Sequence, residues 1–174
     1  MVTLPELLAE YERALGYTND LWTDLSQEEV HWRPNDESSA IGWHLGHQPA
    51  VAHFMVRNLT AAEPPIDPVL DRLMDSATPT PRRGDLPGVR RLATYRSEVA
   101  DRVRYRVGNI NDGNVGAPTQ LRMIATTVLT AIINHEYQHS KWISEVRLDQ
   151  FGHPLPDQPV SDLLTEVDGY VILR

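Results

Sequence analysis

Cysteine is absent from the 174 residues, which removes disulfides and thiolate ligands together. Any metal must then be held by histidine or carboxylate, and any thiol chemistry must use a thiol from outside the chain. Lysine is nearly missing as well: Lys141 is the only one, and the other basic side chains are arginine. A net charge of −8 leaves no cationic excess to displace counterions from phosphates, so no nucleic-acid partner is expected. The local cluster Arg82, Arg83, Arg90 and Arg91 reads as a solvated helix start. No apolar run reaches the roughly 20 residues of a membrane span. The first residues, Met1-Val2-Thr3-Leu4-Pro5-Glu6, lack the basic-then-apolar pattern of a signal peptide. The expected setting is the cytoplasm, with no membrane partner.

What is present is helical periodicity, broken by proline and glycine. Thr3 and Glu6 form a capping box for a first helix from about Leu4 to Leu25, with Pro5 in its first turn. Ser26 with Glu29 caps a short turn of helix that Pro34 ends. A second helix is expected from Ser38 or Ser39 to about Thr60, with Pro49 interrupting and kinking it. A short helical piece follows around Val69 to Ala77. The third long helix is expected after Asp85 as N-cap, with Pro87 just inside and Leu86, Val89, Leu92, Val99 and Val103 on one side. The fourth runs from about Thr119 to Gln150, ended by Gly152 and Pro154. Ser161 to Val167 reads as a short helix before an apolar end at Tyr170 to Leu173, and no alternation predicts a sheet. The fold class is therefore all-α, a four-helix bundle with a long crossover connection. Residues 1–155 form the bundle, and residues 156–174 form an extension packing on it or on a partner.

The chemistry concentrates in histidines. His135 and His139, four residues apart, lie about 40° apart on a helix and can share one metal ion. Around His135 the residues Leu121, Ile124, Val128, His139, Trp142 and Val146 fall within about 40°, which predicts a buried seam. On the second helix His47 shares an apolar stripe with Ala40, Trp43, Val51 and Phe54. Three inward imidazoles need partners for their ring nitrogens, and one divalent cation satisfies all three. His44 stands either as a group behind the ligands or as an alternative ligand. His53 reads as peripheral, and His31 and His153 as surface residues beside turns.

His135-Glu136-Tyr137-Gln138-His139 also reads H-E-x-x-H, the zinc-peptidase pattern with Glu136 as general base. The continuation H-x-x-G-x-x-H is missing: Trp142 stands at the glycine and Glu145 at the third histidine. With no strand predicted upstream to line a substrate cleft, a peptidase is the weaker reading.

Taken together, the motifs resemble the DinB-like (YfiT-like) metal-binding four-helix bundles. Within that family they are most similar to the N-terminal domain of ergothioneine-forming sulfoxide synthases. The likeness lies in Trp32-Arg33-Pro34, then Ser39-Ala40-Ile41-Gly42-Trp43-His44-Leu45-Gly46-His47, and finally His135 to His139, and it covers most of residues 1–155. It implies His47, His135 and His139 as ligands of a divalent transition metal (Zn, Ni or Fe). Sulfoxide synthases carry a large second domain for which 174 residues leave no room, and Pro49 departs from the residues expected after the ligand. Stand-alone members include transferases for low-molecular-weight thiols such as mycothiol or bacillithiol. The resemblance thus implies a metal-dependent thiol S-transferase acting on a small electrophilic substrate, with Glu136 and Gln138 as candidate catalytic residues and a homodimer as the assembly. The alternatives are an iron-dependent oxygen-using enzyme or a non-catalytic metal-binding stress protein.

Overall fold

The structure is a computed structural model that describes residues 2–59 and 63–174. Among these residues it is all-α apart from one hairpin. The helices are α1 (Leu4–Trp22), α2 (Gln27–His31), α3 (Ile41–Arg57), α4 (Pro68–Leu73), α5 (Val89–Asn111) and α6 (Pro118–Phe151). Strands β1 (Leu164–Val167) and β2 (Tyr170–Leu173) follow. Among the described residues no helix is long and apolar enough to cross a membrane. The chain divides into two compact units: one runs up to Asp24 and resumes at Val107, and the other spans Leu25–Arg106.

In the first unit α1 packs on α6. The capping box forms as expected, with Thr3 accepting from the Glu6 amide and Glu6 accepting from the Thr3 amide. Leu7, Tyr11, Ala14 and Leu21 are buried from α1, each large side chain stabilising the fold by about 1.5–3 kcal/mol. Arg147 of α6 reaches back to α1. Its guanidinium donates to the Leu21 carbonyl and grips Asp24 through two bonds of 2.5 and 2.9 Å, while Nε donates to the Pro154 carbonyl. One buried cation thus closes the open end of α1 and fixes the chain leaving α6.

The same unit corrects the reading of residues 161–167 as helix. Leu164–Val167 and Tyr170–Leu173 pair antiparallel, Leu164 opposite Leu173 and Val167 opposite Tyr170. Asp168 and Gly169 both adopt positive φ, 52° and 80°, the geometry a two-residue hairpin turn demands, and Asp-Gly is a favoured pair for it. The apolar run Tyr170 to Leu173 lacks alternation because Leu173 is buried while the rest is only partly so. That turn dipeptide was the available signal.

In the second unit, Ser26 and Glu29 cap α2 reciprocally. Helix α3 begins at Ile41 behind Ala40, which makes no side-chain cap bond, so the expected start at Ser38 or Ser39 is too early. Its expected end at Thr60 lies outside the described residues. α3 runs through Pro49 as one element. Proline has no N–H for the Leu45 carbonyl, and Arg96 of α5 donates to that carbonyl at 3.3 Å, and to Gln48 Oε1 at 3.0 Å. Helix α5 begins at Val89, four residues beyond the expected cap. Leu86 precedes a proline and is steered out of helical geometry, and Asp85 instead closes a 3₁₀ turn over Thr80–Gly84. The Pro87 carbonyl is taken by His31 Nε2 at 3.0 Å, so His31 is a tether rather than a surface residue.

Candidate metal centre

His47 sits in α3 and is buried. Its Nδ1 lies 2.6 Å from the Met74 carbonyl. A carbonyl only accepts, so Nδ1 carries the proton and Nε2 keeps the lone pair that can bind a metal. Gly46 makes room for this contact, since a Cβ there would stand 2.5 Å from Met74 Sδ. Burial, chiefly, holds the imidazole below the usual histidine range. The neighbouring Arg83 acts in the same direction, and the bond to Met74 opposes it. His47 is therefore held neutral, the form that ligates.

The His47 ring is stacked on Trp43, centroids 4.4 Å apart and planes within 13°. Arg83 lies over the Trp43 ring at 4.1 Å and is pinned by the Thr78 and Ser76 carbonyls and the Ser39 hydroxyl. Trp43 thus contacts both the Arg83 guanidinium and the His47 ring, and the stacking restrains the orientation of His47. Sequence reading placed Arg83 among solvated arginines. The missed signal was long-range, because Trp43 and Arg83 meet only through the 3₁₀ turn.

His135 and His139 lie on α6 with ring centroids 4.4 Å apart, and His139 meets Trp142 edge-on at 4.8 Å. His139 is buried and His135 is half-buried. The face of α6 that packs inward is centred not on His135 but about 100° away, on Ala125, Leu129, Ile132, Glu136, Ser140 and Ile143. Ile124, expected in the seam, is 50% exposed. His135 thus stands at the edge of the packed face, where an exchangeable ligand can reach it.

Among the described residues, His47, His135 and His139 form one group that could hold a metal ion, each offering a ring nitrogen within 4.8 Å of the others. Three imidazoles are a fitting donor set for a divalent transition metal and would leave positions for exchangeable ligands.

The two candidate catalytic residues part ways. Glu136 is buried, and its Oε1 accepts the Thr18 hydroxyl at 2.7 Å, on the face α6 turns to α1. Gln138 is exposed and lines a cleft of about 510 Å³ together with His135 and the hairpin. His44 is buried and meets Trp43 edge-on at 5.4 Å. His53, expected to be peripheral, is buried: Arg102 donates to its Nε2 at 3.0 Å, and Asp71 lies 3.9 Å from Nδ1. His153 is partly exposed beside Phe151.

No curated protein matches the sequence significantly. The family model described as the DinB superfamily matches residues 10–143, a stretch that contains both histidine motifs. With that match across most of its length, and an all-α fold, the chain belongs to the DinB superfamily.

Proposed function

We propose that this chain is a metal-dependent enzyme in which His47, His135 and His139 hold Zn²⁺, Ni²⁺ or Fe²⁺, and which transfers a low-molecular-weight thiol to a small electrophile. The observation that carries the proposal is the donor set itself: three imidazoles, one of them oriented through Met74 and stacked on Trp43. A purely structural set of three histidines would not need the Nδ1 proton of one ring fixed so that Nε2 is presented. The bound cation would lower the pKa of an incoming thiol, so that a thiolate is available near neutral pH.

The chain's own residues supply the rest. Met74 and Trp43 hold His47 in one tautomer and one plane. His135, at the edge of the packed face, leaves its side of the site open to a cosubstrate. Gln138 offers an amide donor and acceptor beside it, where it can orient the electrophile. Glu136 acts as a positioning residue through Thr18, steadying the turn of α6 that carries both histidines. The absence of cysteine keeps the protein's own side chains from competing for the electrophile. The likeness to the sulfoxide-synthase domain supports the same three ligands.

The test is a panel of free thiols (mycothiol, bacillithiol, glutathione and coenzyme A), each incubated with an alkylating electrophile and followed by mass spectrometry. Metal-loaded protein should accelerate adduct formation with at least one thiol, and chelation should remove the acceleration. No acceleration with any thiol by fully loaded protein contradicts the transferase reading.

A further inference from the structure

We infer that the C-terminal hairpin is the substrate wall of this site, that the cleft beneath it takes a compact apolar molecule, neutral or amine-bearing, and that its hairpin end disfavours carboxylates and phosphates. The inference rests on the reading that His135 belongs to a metal centre.

Ala131, Asn134, His135 and Gln138 recur at i, i+3, i+4 and i+7, so they share one face of α6. The hairpin is laid on that face. Its base is fixed: Leu164 and Leu173 are buried, and the Leu173 amide donates to Asn134 Oδ1 at 2.8 Å. Its tip is not buried, with Val167 48% exposed. The tip residues Val167, Asp168 and Tyr170 line the cleft of about 510 Å³ together with His135 and Gln138. Such a volume suits a small organic molecule.

The lining decides the chemistry. Val167, Tyr170, Val171 and Ile172 give an apolar wall, and Ala131 leaves space opposite them. The polar groups are two amides, one imidazole, the Tyr170 hydroxyl and the Asp168 carboxylate, and among the described residues no arginine or lysine lines the cleft. Lys141, whose Cε passes close to Gly169 at the hairpin turn, is engaged by Glu145 at 3.4 Å. At the hairpin end, away from His135, an anionic group would meet the Asp168 carboxylate and no lining cation. An amine or hydroxyl would find acceptors.

Benzyl alcohol, benzylamine and benzoate have nearly one shape and three charge states, and methyl NMR shifts of Val171 and Ile172 report their binding. Benzyl alcohol and benzylamine should shift both side chains in metal-loaded and chelator-treated protein alike, and in the chelator-treated protein benzoate should be weaker than benzylamine by about 2–5-fold, the range of an exposed charge contact. Asp168→Asn should close that gap. Ala131→Phe, a change at an exposed helix position, should abolish the shifts with all three probes while the fold is retained by circular dichroism. Absence of shifts with every probe in the wild type, benzoate binding as well as benzylamine in the chelator-treated protein, or shifts surviving in Ala131→Phe would each overturn the inference. Metal content is measured on the same samples. A chain that binds the probes but no metal supports the cleft's ligand class and sinks the metal reading instead.

Discussion

At the residue scale the proposed metal centre leans on groups outside the three histidines. Met74 fixes the proton on His47, Trp43 fixes the plane of its ring, and Arg83 lies over the Trp43 ring. Partners of this kind behind a ligand are commonly worth about 10–100-fold in metal affinity. Trp43→Ala and Arg83→Ala should therefore each weaken metal binding within that range, read by competition with a chromophoric chelator, without removing a ligand. Unchanged affinity in both variants would show the stack to be packing alone. The three histidines that gather in the structure were legible in the sequence because helical spacing and an inward stripe are local properties. Arg83 was not, because its contact with Trp43 spans forty residues and leaves no local pattern.

At the element scale, two helices carry defects that distant arginines repair. Pro49 orphans the Leu45 carbonyl in α3, and Arg96 supplies the missing donor. Arg96→Met should destabilise the protein by about 3 kcal/mol, since it leaves buried acceptors unsatisfied. Adding Pro49→Ala restores a backbone N–H, so the double variant should recover about 1 kcal/mol relative to Arg96→Met, measured by urea denaturation. Strict additivity would contradict the pairing. Asp24 is the second case. The hydrogen bond from Arg147, followed by weaker electrostatic help, holds its carboxyl below the ordinary range. A depressed carboxylate contributes stability above its unfolded pKa, near 3.9, and that contribution is lost as pH falls through the lower folded value. Asp24→Asn should flatten the acid limb of the stability curve below about pH 4 and leave its neutral-to-basic limb parallel to the wild type. An unchanged acid limb would rule the pairing out. Asp24 is largely exposed, so the effect is small. Helix interiors were legible from periodicity, whereas the starts of α3 and α5 were displaced by a proline neighbour and by caps that never formed.

At the scale of the whole molecule, family membership and an all-α architecture agree with what order and spacing of the histidine motifs imply. The hairpin escaped the sequence because each strand is four residues long, too short for alternation to register, and because Leu173 turns inward while its neighbours stay partly exposed. It lies beyond residues 10–143, the stretch matched by the family. The inward face of α6 was misjudged by about 100° because apolar side chains such as Ile124 remain exposed while Glu136 and Ser140 are buried, so hydrophobicity alone pointed to the wrong edge. That shift leaves His139 buried and brings His135 to the rim. The most direct measurement of the central claim is elemental analysis of protein purified under metal-replete conditions. About one transition-metal ion per chain is predicted, falling to none in His135→Ala/His139→Ala while the helical content persists. A metal-free wild type, or a double variant that keeps its full complement, would contradict the account.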